Sequence, residues 1–148
     1  MTNLEVYCDG GSRGNPGPAA VGIVIKKDNQ INRESGKQIE ISKYIGKATN
    51  NQAEYRAVIE ALQYINETYG DNDIEVNFLL DSKLVVEQLN QRYKLKNEGL
   101  KPLFFEIHNL IKKLSKKISF THIPREKNVE ADKLVNVAID KVQKTEKS

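Results

Sequence analysis

Asp9, Glu54, Asp81 and Asp132 are the residues whose types and surroundings could do chemistry. Asp9 ends the apolar-alternating run Leu4-Glu5-Val6-Tyr7-Cys8 and opens DGGSRGNPGP, in which four glycines and two prolines fall within the next nine residues. Glu54 follows TNNQ at the start of a helical pattern, Asp81 closes IEVNFLLD, and Asp132 lies one turn into a last helical pattern after PREKNVE. Taken singly, each has an ordinary structural use: Asp9 and Asp81 as turn or cap acids, Glu54 and Asp132 as first-turn acids matched to a helix dipole. Crowded together, unpaired carboxylates repel, raise one another's pKa and cost stability unless cations intervene. Hard divalent ions with oxygen ligands are the natural remedy, and no cysteine cluster or paired histidines offer a zinc alternative. Two such ions held about 4 Å apart can activate a water and stabilise the leaving oxygen of a phosphodiester. The glycines after Asp9 then do more than turn the chain: they let backbone approach a nucleic-acid groove, where its amides can touch phosphate or sugar.

These acids meet only if the elements carrying them converge. Leu4–Cys8, Ala20–Lys26 and Gln38–Tyr44 read as strands, with turn signals at residues 9–18 and around Asn29 and Gly36, and their short connections make an antiparallel meander. From Gln52 to Tyr69, Ala53, Ala57, Val58, Ala61, Leu62 and Ile65 recur at helical spacing, and Gly70 closes the segment. Ile74–Asp81 returns to a strand apolar enough to be buried on both faces. Ser82–Leu89 and Lys101–Leu114 read as helices joined by NQRYKLKNEG, Ile118–Ile123 as a further strand, Glu130–Val142 as the last helix, and QKTEKS as a frayed tail. The expected fold class is α/β, a five-stranded mixed sheet with three antiparallel strands then two parallel, flanked by about four helices in one domain over residues 1–142. With the first long helix as a crossover, strand Ile74–Asp81 runs parallel to a meander strand. If that neighbour is the first strand, Asp9 and Asp81 share the edge where open α/β sheets bind ligands.

Composition bounds the reading. A chain of 148 residues with 29% charged and 39% hydrophobic residues is an ordinary globular domain rather than a disordered one. Its single cysteine, Cys8, excludes an internal disulfide, suits a reducing cytoplasm, and sits in a strand pattern as a small core residue. The longest apolar run, AAVGIVI, is too short to span a bilayer, so no membrane partner is expected and the cytoplasm is the expected location. A net charge of +3 permits a polyanionic partner without demanding one.

The ordered set of motifs resembles the type 1 ribonucleases H. DGGSRGNPGP, TNNQAEYRA, LLDSKLVV and HIPREKNVEADKLVN carry the resemblance, which runs from Leu4 to about Ala138. It implies endonucleolytic hydrolysis of the RNA strand in RNA–DNA hybrids with Mg2+ or Mn2+, giving 5′-phosphate and 3′-hydroxyl ends. Asp9, Glu54, Asp81 and Asp132 match the metal-binding carboxylates, with Asp9 bridging both ions. Asn15, Asn50 and the backbone around Gly10 and Gly11 match positions that contact the hybrid's minor groove, where amides suit a 2′-hydroxyl. Thr49 matches a contact to a DNA-strand phosphate. Asn50 or Asn51 could equally cap the helix.

Two basic residues compete for the helper that family members place near the last acid. His122 stands ten residues before Asp132 and could shuttle protons or pack at a strand end, whereas Arg125 stands seven before it and could act only electrostatically. Ser82 and Lys83 follow the third acid, and Lys83 stands where many members have glutamine. Only NQRYKLKNEG separates the two middle helices, without the basic, tryptophan-bearing handle of many bacterial members, so the chain is similar to compact archaeal-type forms. Lys94, Lys96, Lys112, Lys113, Lys116 and Lys117 offer either a substitute phosphate track or a solvated face. Double-stranded RNA is a further candidate substrate, because its minor groove also displays 2′-hydroxyls. A monomer is the simplest assembly. The readings in other classes are a non-catalytic nucleic-acid-binding domain of this fold and a related nuclease acting on DNA.

Overall fold

The structure, a computed structural model, describes residues 2–27, 38–70, 72–114 and 117–146. In chain order the elements are β1 (Thr2–Ser12), β2 (Gly17–Lys27), β3 (Ile39–Ala48), α1 (Asn50–Tyr69), β4 (Ile74–Leu80), α2 (Lys83–Leu89), α3 (Lys101–Leu114), β5 (Lys117–His122) and α4 (Val129–Glu146). The strands form the expected five-stranded mixed sheet in the order β3-β2-β1-β4-β5. β1 pairs antiparallel with β2 and parallel with β4, and the β1–β4 register runs from Thr2 opposite Ile74 to Cys8 opposite Leu80.

Alternation along the strands divides the interior in two. Leu4, Val6, Cys8, Val21, Ile23 and Ile25 face α1 and join Phe78, Leu80, Tyr55, Leu62 and Ile107 in the main core. The opposite face meets α4 through a small cluster of Ala20, Val135, Ala138 and Ile139. Two glycines set how closely helices approach the sheet. A Cβ on Gly10 would stand 2.1 Å from the Ala53 carbonyl oxygen of α1, and one on Gly22 would stand 2.1 Å from the Ala131 carbonyl oxygen of α4. Gly22 is the cross-strand partner of Asp9, so this second approach falls beside the first acid.

Several boundaries differ from expectation: β2 starts at Gly17 rather than Ala20 and β3 runs on from Tyr44 to Ala48. β1 does not end at Cys8, because Gly10, Gly11 and Ser12 stay paired with Val21, Ala20 and Ala19; the turn is confined to residues 13–16. α1 begins at Asn50 and is capped by Thr49 rather than by Asn50 or Asn51: Gln52 N donates to Thr49 Oγ1 at 3.1 Å and Thr49 N donates to Gln52 Oε1 at 2.9 Å, a reciprocal capping box. α4 runs past Val142 to Glu146, since QKTE contains no glycine or proline and the Arg13 guanidinium donates to Gln143 Oε1 at 2.5 Å. The turn signals at Asn29 and Gly36 lie outside the described residues, as do Lys116 and the last two residues of the tail. Among the described residues, no helix is long and apolar enough to cross a membrane.

Candidate active site

The β1–β4 ladder ends at the pair Cys8–Leu80, so the next residue on each strand, Asp9 and Asp81, emerges side by side at one sheet edge. Glu54 reaches the same edge from α1. Because α1 starts at Asn50, Glu54 stands past the first turn, and the dipole argument for it gives way to a direct contact: Gly10 N donates to Glu54 Oε1 at 3.1 Å. One oxygen each of Asp9, Glu54 and Asp81 lies within 4.8 Å of the others. Asp9 is 7% exposed and Glu54 6%. Asp132, in the first turn of α4, is exposed and stands outside that tight set while lining the same cleft of about 500 Å³.

Electrostatics follow from this crowding. Burial pushes the Asp9 carboxyl up to about 7, helped by the charges of Asp81 and Asp132, while its contact with Glu54 works the other way. Burial also holds Glu54 well above the usual carboxylate range, and the Asp9 carboxylate beside it adds to the rise against the pull of the Gly10 N–H. Glu54 Oε2 is buried with no hydrogen-bond partner, and no ion pair reaches Asp9, Glu54 or Asp81 among the described residues. Acceptors facing acceptors need a proton or a cation between them. An all-oxygen carboxylate set of this kind fits a hard divalent ion.

Asn128, a residue given no role from sequence, is built into the site. It is 1% exposed, and its Nδ2 donates to the Cys8 carbonyl at 2.9 Å and to Asp81 Oδ2 at 3.2 Å. Its own backbone carbonyl accepts from Asp132 N at 3.1 Å, so one residue ties β1 beside Asp9, the third acid and the start of α4 together. Its place between a short basic turn (Arg125–Lys127) and a helix reads as a cap, and only the fold reveals the second use.

The remaining candidates divide. Gly10, Gly11, Asn50, Ser82 and Arg125 line the cleft, along with Arg13 and Asn136, which sequence reasoning did not single out. Ser82 also caps α2, with Oγ accepting from Val85 N at 3.3 Å. Asn15 and Asn50 lock the glycine-rich loop to α1: Asn15 Oδ1 accepts from Asn50 N at 2.9 Å, and Asn50 Oδ1 accepts from Ser12 N at 2.9 Å. Asn15, Thr49, Lys83 and His122 lie outside the cleft lining. His122 is exposed at the end of β5, paired with Leu80.

Comparison with known proteins converges on the same architecture. A reverse transcriptase-like family model matches residues 7–138. LC11-RNase H1, isolated from compost by a metagenomic approach, is 45% identical with a TM-score of 0.85 over 97% of this chain and 99% of that one. Its complex with an RNA/DNA hybrid superimposes with a TM-score of 0.84 over 95% of this chain and 99% of that one. Ribonuclease HI of Halobacterium salinarum is 41% identical over 138 residues, 93% of this chain and 64% of its own length. The bifunctional protein Rv2228c of Mycobacterium tuberculosis is 40% identical over 138 residues, 93% of this chain and 35% of its own length. The chain thus spans about a third of the length of Rv2228c and just under two thirds of that of the halobacterial protein. With carboxylates gathered at the β1–β4 edge and a family match from residue 7 to residue 138, the chain belongs to the type 1 ribonuclease H family.

Proposed function

We propose that this chain hydrolyses the RNA strand of RNA–DNA hybrids, leaving 5′-phosphate and 3′-hydroxyl ends. The observation that carries this reading is the convergence of Asp9, Glu54 and Asp81 within 4.8 Å, with no ion pair among the described residues to neutralise them. These three, joined by Asp132 from α4, would hold two Mg2+ ions, with Mn2+ able to replace them. Bound there, the ions supply an activated water and stabilisation of the leaving oxygen. The chain's own groups do the rest. The Gly10 N–H fixes one Glu54 oxygen, and Asn128 turns Asp81. Arg125 puts a permanent positive charge at the cleft wall, where it draws a phosphate; it is the better placed helper, because His122 lies outside the lining.

Selectivity for RNA has a source in the amides of Asn15 and Asn50. Both carbonyl oxygens accept backbone N–H groups, so the NH2 of each is the group that would donate to groove acceptors, the 2′-hydroxyl among them. The hybrid complex of LC11-RNase H1 supports this choice of substrate. Double-stranded RNA is a second substrate of the same reading, and a cytoplasmic monomer its simplest setting. A labelled hybrid, an RNA duplex and a DNA duplex, each digested with Mg2+ and then Mn2+, test the proposal. Cleavage confined to the RNA strand is expected. No cleavage of any substrate would point to a non-catalytic binding domain, and nicking of DNA to a nuclease of another specificity.

A further inference from the structure

Asp132 is the exposed acid of the four, carried by a helix whose apolar contact with the sheet is a small cluster. A side chain from the glycine-rich loop reaches that helix. Arg13 Nη1 lies 2.7 Å from Asp140 Oδ1 and donates to Gln143 Oε1 at 2.5 Å, while Nη2 donates to Asn136 Oδ1 at 3.3 Å. Residues 136, 140 and 143 fall at helical spacing on one face of α4, so a single guanidinium spans two turns. Asn136 in turn donates from Nδ2 to the Asp132 carbonyl at 3.1 Å. The loop itself is anchored at both ends of the contact: Arg13 N donates to the Pro18 carbonyl at 2.9 Å, and Ser12 N and Oγ both donate to Asn50 Oδ1 of α1.

We infer that Arg13 is a positioning residue that couples the glycine-rich loop to α4 and so sets where Asp132 stands relative to Asp9, Glu54 and Asp81. The inference rests on the function proposed above. The alternative use of a cleft-lining guanidinium is direct contact with a substrate phosphate, and the two uses make opposite demands. The side chains of Arg13 and Asp140 are 35% and 66% exposed, so the ion pair adds little to stability and its value lies in geometry. That geometry uses a planar fork engaging three acceptors, which lysine cannot reproduce, whereas lysine serves adequately as a point charge on phosphate.

The test compares Arg13→Lys, Arg13→Ala, Asp140→Ala and the Arg13→Ala/Asp140→Ala double variant in the full chain. Readouts are kcat and KM on a hybrid, Mn2+ affinity measured calorimetrically without substrate, and the thermal midpoint. Positioning predicts that Arg13→Lys and Asp140→Ala each lower kcat and weaken Mn2+ binding by about tenfold, the lower end of what outer partners of a metal site cost. KM and the thermal midpoint should hardly move, and the double variant should be no worse than Arg13→Ala. The inference is overturned if Arg13→Ala raises KM at unchanged kcat with rescue by lysine, if Asp140→Ala tightens hybrid binding, or if Mn2+ affinity is the same throughout. Should the wild-type chain cleave no hybrid, the proposed function fails while the Mn2+ comparison still decides the role of Arg13.

Discussion

At the scale of single residues, the buried pair Asp9 and Glu54 links metal, protons and stability. Asp9 is raised from 3.8 to about 7, so between those values the native chain holds a proton that the unfolded chain has released. Stability of the metal-free protein therefore falls as pH rises from about 4 to about 7, and Glu54, raised in the same direction, adds to the fall. A divalent ion competes with those protons, so added Mg2+ or Mn2+ should raise the thermal midpoint more at pH 8 than at pH 5.5. Asp9→Asn should abolish cleavage, by more than about 10³-fold, yet raise the metal-free midpoint at pH 7.5 by about 3 °C or more. A lowered midpoint in calorimetry would show that the carboxylate is not strained by its neighbours. Asn128→Ala removes the amide that donates to Asp81 and to the Cys8 carbonyl, costing about 1–3 kcal/mol of stability. Metal titration of the same variant should find affinity reduced about 10- to 100-fold. The acids were legible in sequence because each stands where an apolar pattern of recognisable period stops or starts. Asn128 was not, since its partners are 120 and 47 residues away and an asparagine before a helix already has an ordinary explanation.

At the scale of elements, two close approaches bring helices to the acids. Replacing Gly22 by alanine would put a Cβ 2.1 Å from the Ala131 carbonyl, so α4 must lift and take Asp132 with it. Even about 1 Å of such displacement is expected to cost about 10²-fold in kcat. Gly46→Ala is the matching control: its φ of +83° strains any side chain but no atom lies within 4 Å, so it should cost about 1 kcal/mol and spare kcat. Equal kcat values for the two variants would remove α4 placement as a determinant. Element type and order were readable from the period of the apolar face in α1 and β1 and from a near-continuous apolar run in β4. Their ends were harder. Gly10 and Gly11 look like turn residues but remain in the β1–β2 ladder, where the missing side chain of Gly10 serves the approach of α1 rather than a change of direction.

At the scale of the molecule, a net charge of +3 leaves binding of a polyanion to local arrangement. The loop between α2 and α3 lies against the start of α1, where a Cβ on Gly99 would stand 3.3 Å from Gln52 Nε2. Lys94 and Lys96 in that loop are exposed and make no ion pair among the described residues. Lys112 and Lys113 sit in the last turn of α3, where they already complement its dipole. Removing Lys94 and Lys96 together should reduce the salt dependence of hybrid binding by about two in logarithmic slope, with kcat at saturation intact. The same change at Lys112 and Lys113 should leave the slope alone, and equal slopes for both pairs would dissolve the distinction.

Asn128 and α4 are synthesised after Asp9, Glu54 and Asp81. A polypeptide growing from its amino end exposes three of its four acids early and then waits for the segment that orients one and delivers the other. The site thus depends on a segment made after its first three acids: a chain interrupted short of residue 128 would lack both Asp132 and the amide that holds Asp81.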